Sequence, residues 1–376
     1  MVTRVFKEGS MPVSLLGLGC MRLPVVGGVD KRIDYEKAQE IVDYAFKNGI
    51  NYFDTAHGYH GGQSQVFLGE ALSRYPRESY YLATKMPMWS VVIKKDLGKI
   101  FALQQERLKT DCFDFYLLHS MDKGNYKKAV KFGAYEFLSK MKAQGKIKNI
   151  GFSFHDSPEL LEEIAGAHAW DFAQLQINYV DWKNQKAKEQ YEILEKYNIP
   201  CIVMEPVRGG SLAAPGAKAV ELLKAAAPDK SVASWAIRYA ASLPNVLTVL
   251  SGMSNMEQIR DNIATMADFQ PLTEQELQIV EAAAEAYNLK DVIPCTACRY
   301  CMDCPSGVDI PRMFAVFNDY QAGKDKEKFL AAYKDAAKQA RAENCAECGT
   351  CAPRCPQLID IPEKLKTVAA LHKKLS

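Results

Sequence analysis

The stretch YEKAQEIVDYAFKNGINYFDTAHGY, residues 35–59, combines a helical pattern with a short β-rich run. In its first half, apolar residues recur every three or four positions, which is typical of a helix packed on a sheet by one face. Gly49 interrupts that pattern, and the run NYFDT follows at 51–55. The stretch therefore predicts a helix followed by a buried strand, with the polar segment AHGY directly after the strand.

The same alternation extends in both directions, from about residue 14 to residue 265. Alternating strands and helices are the signature of βα units around a parallel sheet. Eight candidate strands can be read from the sequence: SLLGLG (14–19), NYFDT (51–55), YYLAT (80–84), DFYLLH (114–119), IKNIGFS (147–153), FAQLQIN (172–178), PCIVME (200–205) and VLTVLS (246–251). Eight units in about 250 residues predict an α/β protein with a (β/α)8 TIM barrel. A doubly wound open sheet gives a similar alternation and is the alternative.

The pattern changes after the last of these units. Residues 273–287, TEQELQIVEAAAEAY, predict a helix with Thr273 as its N-cap and Glu276 completing a capping box. A cysteine group follows Pro294, then a segment at 305–344 with helical spacing, a second cysteine group and the helical tail PEKLKTVAALHKKL. We predict a barrel over residues 1–290 and a small α-helical domain over residues 291–376.

The overall composition is that of an ordinary soluble protein. The chain has 376 residues, 48% hydrophobic and 24% charged, with a formal net charge of +2. Such a balance gives no electrostatic reason to expect a nucleic-acid partner or a membrane surface. The opening MVTRVFKEGSMPVS lacks the apolar stretch of a secretory signal, and no apolar run reaches the roughly 18 residues that a membrane span needs. We expect a cytoplasmic protein without a membrane span.

Eight of the eleven cysteines fall between positions 295 and 355. Disulfides are disfavoured in a reducing compartment, so clustered cysteines there indicate metal ligands. The second group, Cys345-x2-Cys348-x2-Cys351-x3-Cys355-Pro356, has the spacing of a 4Fe-4S ligand run. The first group has the same layout with one residue fewer before its last cysteine: Cys295-x2-Cys298-x2-Cys301-x2-Cys304-Pro305.

Two such runs predict two 4Fe-4S clusters. In two-cluster ferredoxins the fourth cysteine of each run ligates the other cluster. The pattern then assigns Cys295, Cys298, Cys301 and Cys355 to one cluster, and Cys345, Cys348, Cys351 and Cys304 to the other. The helical segment between the runs resembles the α-helical ferredoxin domains of respiratory reductases. Structural zinc is the alternative, because four thiolates also satisfy tetrahedral Zn²⁺.

Four polar residues fall at or just past the ends of three consecutive predicted strands. They are Asp54, Tyr59, Lys85 and His119. The carboxyl ends of the strands are where barrel active sites are built. The set suits carbonyl reduction, because hydride delivery to a carbonyl leaves an alkoxide that needs a proton, and a tyrosine activated by a neighbouring ammonium can supply one.

The same residues carry a resemblance to a known family. With VSLLGLGCMR at 13–22, the Asp54-x4-Tyr59 segment, Lys85 and LLHS at 117–120, the sequence resembles the aldo-keto reductases from residue 5 to about residue 265. The resemblance implies that Tyr59 donates the proton and Lys85 activates it. It also implies that Asp54 holds Lys85, that His119 bonds the carbonyl oxygen, and that the substrate is a small carbonyl or alcohol.

The resemblance also implies a nicotinamide cofactor, NADP(H) or NAD(H). The stretch SGMSNMEQIRDN (251–262) enters a helix after the last strand, the usual barrel location for a phosphate. It resembles the NADP-binding stretch of aldo-keto reductases related to potassium-channel β-subunits. Within this stretch, and on the loops and strands before it, the resemblance assigns ten positions to cofactor binding: Gly19, Met21, Arg22, Ser153, Gln176, Met204, Gly252, Ser254, Gln258 and Asn262. Gln258 stands where many relatives have an arginine for the 2′-phosphate, and Phe154 and Met204 replace the family's usual asparagine and tyrosine.

The cofactors of the two predicted domains transfer different numbers of electrons at a time. A nicotinamide gives a hydride, whereas each 4Fe-4S cluster accepts one electron, so direct exchange needs a converter such as a flavin. The sequence contains no flavin motif. We predict an oxidoreductase whose clusters relay electrons to or from an electron-transfer protein. The alternatives are an ordinary carbonyl reductase with a structural or docking module, and a non-catalytic sensor of the NADP(H) redox state.

Overall fold

The computed structural model describes residues 1–287 and 292–376. The chain separates into two compact units, one formed by Met1–Val207 with Asp229–Val280, the other by Arg208–Pro228 with Glu281–Ser376. The predicted boundary at residue 290 lies outside the described residues. The sequence pattern does not distinguish residues 208–228 from the rest of the barrel, although they belong to the second unit.

The described residues contain ten strands and fifteen α-helices. The strands are β1 (Thr3–Arg4), β2 (Val13–Ser14), β3 (Leu16–Gly19), β4 (Tyr52–Asp54), β5 (Tyr81–Pro87), β6 (Phe113–Met121), β7 (Ile147–Phe154), β8 (Phe172–Gln176), β9 (Cys201–Met204) and β10 (Val246–Ser251). The helices are α1 (Tyr35–Lys47), α2 (Gln63–Leu72), α3 (Lys95–Leu108), α4 (Lys123–Phe132), α5 (Ala134–Ala143), α6 (Pro158–Ala167), α7 (Asp181–Asn184), α8 (Ala187–Lys196), α9 (Ala217–Ala226), α10 (Val232–Ala241), α11 (Met256–Ala267), α12 (Glu274–Ala286), α13 (Ile310–Gly323), α14 (Lys326–Asp335) and α15 (Ile361–Leu375). Within these residues, no helix is both long and apolar enough to cross a membrane.

Strands β3 to β10 form a closed parallel barrel in the order β3-β4-β5-β6-β7-β8-β9-β10, with β10 returning to β3. The return places Leu250 opposite Gly17. A Cβ on Gly17 would lie 2.7 Å from Leu250 Cδ2, so β3 and β10 approach closely here. The TIM barrel is confirmed and the open-sheet alternative is wrong. Each predicted run overlaps one barrel strand, and β5, β6 and β7 extend beyond their predicted ends to Pro87, Met121 and Phe154.

Aromatic and aliphatic residues fill one end of the barrel. The antiparallel pair β1–β2 precedes the first barrel strand. Val13 of β2 lies in a buried cluster with Phe115, Phe172 and Leu247, against which Phe6 packs. Because this cluster occupies the amino-terminal side of the strands, a ligand has room only at their carboxyl ends, where barrel sites lie.

Helix α12 begins as the sequence predicts. The Thr273 N–H donates to Glu276 Oε2 at 2.9 Å, and the Glu276 N–H donates to Thr273 Oγ1 at 3.2 Å. This reciprocal pair is a capping box, which satisfies backbone donors that the first helical turn leaves without partners. The predicted N-cap is confirmed.

The second unit has its own core. Helices α13, α14 and α15 contribute Phe314, Phe317, Phe329, Tyr333 and Val368 to it, and the segments between the helices and around the cysteine runs contribute the other buried residues. The helical segment predicted over 305–344 is present as α13 and α14, and the predicted tail as α15.

The second unit also contains an internal repeat that the sequence predictions missed. CPSGVDIP (304–311) and CPQLIDIP (355–362) share the pattern Cys-Pro-x-x-apolar-Asp-Ile-Pro. In both, the fourth residue has a positive φ and its N–H donates to the cysteine carbonyl at 3.0 Å. The aspartates, Asp309 and Asp360, are the N-caps of α13 and α15. Each fourth cysteine is therefore joined to a helix by the same turn.

Candidate functional site

The four predicted catalytic residues converge at the carboxyl end of the barrel. Asp54 ends β4, Lys85 lies in β5, His119 lies in β6, and Tyr59 begins a 3-10 turn after β4. Lys85 Nζ donates to Asp54 Oδ1 at 2.6 Å and to the Thr55 carbonyl at 3.0 Å. The same Nζ lies 5.2 Å from the centroid of the Tyr59 ring. The ammonium of Lys85 is therefore placed between its carboxylate partner and the phenol.

His119 completes the group. Its ring centroid lies 6.1 Å from that of Tyr59 in an edge-on arrangement, with 80° between the planes. Trp89, in the turn that follows β5, contacts the same imidazole at a centroid distance of 4.8 Å. In the sequence, the segment MPMWS at 86–90, which contains Trp89, is compatible with lining a substrate pocket or with covering the barrel top. The contact places Trp89 beside the predicted catalytic histidine.

Burial and attraction act in opposite directions on the buried Asp54–Lys85 pair. Lys85 is 1% exposed and Asp54 is 2% exposed. Burial lowers the pKa of Lys85 and raises the pKa of Asp54, because both charged forms lose water. Their mutual attraction opposes both shifts. Removing either partner would leave an uncompensated buried charge, which is strongly unfavourable.

His119 is held in its neutral form. Burial lowers its pKa well below the ordinary value, and the positive charges of Lys85, His155 and His57 lower the pKa further. A neutral imidazole carries one N–H donor and one acceptor. His119 can therefore donate a hydrogen bond to a carbonyl oxygen without itself giving up a proton.

His155 provides a prediction about pH. Burial lowers the pKa of His155 to about 4, whereas an imidazole in the unfolded chain has a pKa near 6.5. Between these values the unfolded chain binds a proton that the folded chain does not, so this stabilisation is complete above pH about 6.5 and is lost as pH falls toward 4. We expect His155 to contribute at most about 3 kcal/mol to the decline of the unfolding free energy between pH 7.5 and 4.

Urea unfolding at several pH values tests this, with wild type compared with His155→Gln. The variant should lose less stability on acidification than the wild type. An identical pH dependence in the two proteins would contradict the assignment.

The turn that carries Tyr59 is fixed by a histidine. His60 has a positive φ of 51°, followed by Gly61 and Gly62 with φ of 65° and 93°. Its Nε2 accepts from the Leu23 N–H at 3.2 Å, and its Nδ1 lies 2.6 Å from the Asp30 carbonyl oxygen. His60 therefore ties the turn to the segment after β3. In residues 1–287 and 292–376, no group of three or more His, Cys, Asp or Glu side chains is arranged to hold a single metal ion; the thiol sets described below concern a multi-atom cluster.

The predicted phosphate site lies at the start of α11. Ser254 Oγ donates to the Arg22 carbonyl at 2.6 Å, which joins the loop after β10 to the loop after β3. Asn262 Nδ2 donates to Ser251 Oγ at 3.0 Å and holds the loop from the helix side. Gln258 Oε1 accepts from the Ser254 N–H at 2.7 Å, so its side chain folds back onto the loop. Backbone N–H groups at a helix N-terminus favour an anion.

The residues matched to the nicotinamide lie on the neighbouring strands. Gln176, the last residue of β8, is opposite Met204 of β9, and its Nε2 donates to Asp181 Oδ2 at 2.7 Å. Ser153 of β7 accepts from the Ser120 N–H at 2.7 Å through Oγ, which orients its hydroxyl. The structure brings hydroxyl, amide and thioether groups together at one end of the barrel, a set that fits a ring bearing a carboxamide.

Glu205 is a site residue that the sequence predictions missed. It follows Met204 with a positive φ of 54°, and its Oε1 accepts from Arg22 Nη2 at 2.7 Å. Its Oε2 is buried and has no hydrogen-bond partner among the described residues. A buried acceptor of this kind fits a hydroxyl-bearing ligand, such as the ribose of a nucleotide.

Gly19, Met21 and Gly252 complete the predicted cofactor positions. Gly19 ends β3 next to Asp54, and Met21 follows it in the chain. A Cβ on Gly252 would lie 3.4 Å from the Arg22 side chain, so the two loops approach closely here. These residues all lie at the carboxyl end of the barrel.

The thiols of the first predicted cluster share one cavity. Cys295, Cys298, Cys301 and Cys355 line it together with apolar residues that include Ile310, Phe314, Ile359 and Ile361. Burial raises the pKa of Cys301, and the negative charges of Cys298, Cys295 and Cys355 raise it further. Cys355 is therefore near the first run, although it belongs to the second run in sequence. Four thiols facing an apolar cavity fit a 4Fe-4S cluster.

The thiols of the second predicted cluster are grouped in the reciprocal way. Burial raises the pKa of Cys351, as do the charges of Cys345, Cys304 and Cys348. Cys304 thus lies with the second run despite its shortened spacing. The two fourth cysteines cross between the runs in the way that the sequence predicts for two clusters.

Both cysteine runs have the same backbone conformation. Ala297 and Arg299 have positive φ values of 54° and 64°, and the equivalent Glu347 and Gly349 have 54° and 73°. Left-handed residues before the second and third cysteines turn the chain in the same way in both runs. The two runs are structural repeats with thiols at equivalent positions.

Comparison with known proteins supports this geometry. Residues 15–285 match the aldo/keto reductase family. The chain belongs to that family. Residues 294–359 match a 4Fe-4S dicluster domain, so the cysteine runs are those of an iron-sulfur domain and the zinc alternative is set aside. This aldo-keto reductase therefore combines an oxidoreductase barrel with a 4Fe-4S domain.

Individual relatives align mainly with the barrel. The uncharacterized oxidoreductase YqkF of Bacillus subtilis is 28% identical over 314 residues, covering 74% of this chain and 95% of the relative. The NADH-specific methylglyoxal reductase of Escherichia coli is 22% identical over 68% of this chain and 90% of its own length. The holo form of an aldo-keto reductase from Bacillus halodurans superposes with a TM-score of 0.62 at 25% identity, covering 77% of this chain and 98% of that structure.

Proposed function

We propose that this aldo-keto reductase interconverts a small carbonyl compound and its alcohol with NAD(P)H, and that its 4Fe-4S domain relays electrons to or from an electron-transfer protein. The observation that carries the first part is the position of Lys85. Its ammonium is bound to Asp54 at 2.6 Å and lies 5.2 Å from the Tyr59 ring centroid. His119 lies on another side of the same phenol.

The four residues supply the proton that the reduction requires in addition to the hydride. When bound, the nicotinamide supplies a hydride to the carbonyl carbon. Tyr59 donates its phenolic proton to the carbonyl oxygen as negative charge develops there, and the ammonium of Lys85 stabilises the resulting phenolate. Asp54 keeps Lys85 in place, and the neutral His119 donates a hydrogen bond to the same oxygen. The hydride and the proton together form the alcohol, and the reverse steps oxidise it.

The cofactor would be held by the groups at the carboxyl ends of the last strands. The amino end of α11 with Ser254 would hold a phosphate, Ser153 and Gln176 the carboxamide, and Glu205 Oε2 a ribose hydroxyl. Gln258 places no positive charge at the 2′-phosphate position. This favours acceptance of NADH alongside NADPH, in line with the NADH specificity in the name of the Escherichia coli relative.

The two thiol sets would hold one 4Fe-4S cluster each. Each cluster would supply a one-electron acceptor, so the pair would match the two electrons of one hydride, and the exchange would need a two-to-one electron converter such as a flavin. Placement in the reducing cytoplasm accords with free thiols in these positions. An ordinary reductase with a purely structural iron-sulfur domain is the alternative, which the separate core of the second unit also accommodates.

Electron paramagnetic resonance of the anaerobically purified protein separates these two functions. We expect NADPH or NADH to reduce the clusters when a flavin is added, giving the signal that dithionite gives alone. Samples with flavin but no nucleotide are the control. If dithionite reduces the clusters and neither nucleotide does, with or without flavin, the relay is excluded and the structural role remains.

A further inference from the structure

The two thiol sets differ in their access to solvent. The third cysteine of each run is buried in both sets, Cys301 at 8% and Cys351 at 9% exposure, so the difference lies at the second cysteine. Cys298 of the first set is half-buried and lines the cavity with the other three thiols of that set. In the second set Cys348 is exposed, and so are its neighbours Glu347 and Thr350. A cluster held by the second set would therefore have one edge at the protein surface beside Cys348.

Thr350 is bonded to the exposed thiol. Its Oγ1 lies 3.4 Å from Cys348 Sγ. Gly349 between them has a φ of 73°, which turns the chain so that the backbone N–H of Thr350 also donates to this sulfur. A thiolate that ligates iron has no proton to donate, so in the loaded protein the Thr350 hydroxyl is the donor.

We propose that Thr350 raises the reduction potential of the cluster at Cys304, Cys345, Cys348 and Cys351 above that of the other cluster, so that an electron entering the domain rests at the surface edge beside Cys348. The inference rests on the proposed function only in requiring that both thiol sets hold 4Fe-4S clusters.

The physical reason is the charge added on reduction. One electron takes a cluster from the 2+ to the 1+ state, and part of the added negative charge falls on the thiolate sulfurs. A hydroxyl donor and nearby water stabilise that charge, and hydrogen bonds to sulfur and solvent exposure are established determinants of cluster potential. Thiols of the first set accept backbone N–H groups, such as that of Ala297 at 3.4 Å from Cys295 Sγ, whereas at Cys348 a side-chain hydroxyl and solvent exposure occur together. The bound electron would therefore be placed where an external carrier can approach it.

Redox titration of the anaerobically purified holoprotein tests this. Dithionite and mediator dyes set the potential, and electron paramagnetic resonance follows each cluster. In Thr350→Val we expect the higher of the two midpoint potentials to move to a more negative value while the lower one stays in place. Thr350→Ser keeps a hydroxyl and should stay near the wild type. Thr367→Val is the matched control, because Thr367 is an exposed residue of α15 whose hydroxyl bonds the Glu363 carbonyl at 3.1 Å.

Two results would overturn the proposal. One is an unchanged pair of potentials in a Thr350→Val protein with full iron content, and the other is a shift of the lower potential. If the valine variant binds less iron, Thr350→Ala, which removes the same hydroxyl with a smaller side chain, must give the negative shift. Because the titration contains no nicotinamide, a failure of NAD(P)H to reduce the clusters would exclude the relay and leave this result standing.

Discussion

Replacement of Tyr59 by phenylalanine is expected to lower kcat for carbonyl reduction by roughly 10²–10⁴-fold, the range that a general acid contributes. The variant keeps the ring beside Lys85 and removes only the phenolic oxygen, so the Asp54–Lys85 pair and the fold should be preserved. Nucleotide affinity should be unchanged, because the proposed cofactor contacts come from other strands. Steady-state kinetics and nucleotide binding by fluorescence measure the two quantities separately.

Tyr135→Phe is the matched control. It removes the same atom from a half-buried position on α5, where the hydroxyl donates to the Ala169 carbonyl at 3.1 Å. We expect nearly normal turnover in the control. Near-normal turnover in Tyr59→Phe as well would exclude Tyr59 as the acid, and a parallel loss of nucleotide binding would show that the substitution disturbs more than proton transfer.

The sequence predicts the barrel and the tetrad well because both depend on short-range patterns. A βα unit is marked within about 30 residues by a change from helical to strand periodicity. Asp54, Lys85 and His119 each follow from the position of one strand. The eight strands and the capping box of α12 are accordingly found where the pattern places them, with differences of a few residues at the ends of β5 and β6.

The missed features depend on contacts between distant segments. Glu205 is marked only by its ion pair with Arg22, 183 positions away in the chain. No local pattern assigns residues 208–228 to the second unit. The Cys-Pro-x-x-apolar-Asp-Ile-Pro repeat is different, because aligning the two cysteine runs with each other would have found it.

The crossing of the fourth cysteines is the prediction that most constrains the second unit. The thiol groupings around Cys301 and Cys351 place Cys355 with the first run and Cys304 with the second. We expect anaerobically purified wild type to contain about eight iron and eight sulfide per chain, and Cys355→Ala about four of each. Cys304→Ala should show the same halving. Cys112→Ala, a half-buried cysteine of the barrel, should keep the full content.

Iron content alone does not show which cluster is lost, but Thr350 distinguishes them. If the fourth cysteines cross, Cys355→Ala loses the first cluster and keeps the one beside Thr350, so adding Thr350→Val should still shift the remaining midpoint potential. If each run instead held its own cluster, Cys355→Ala would lose the cluster of Cys345, Cys348 and Cys351, and the remaining potential would not respond to Thr350→Val. With crossing, Cys304→Ala loses the cluster beside Thr350, so the midpoint potential that remains should not respond to Thr350→Val. Without crossing, Cys304→Ala keeps that cluster, and the remaining potential should respond. A potential that responds in Cys304→Ala and not in Cys355→Ala would contradict the crossing. The 40 residues between the two runs, 305–344, would then separate two independent sites rather than bring each fourth thiol to its partner run.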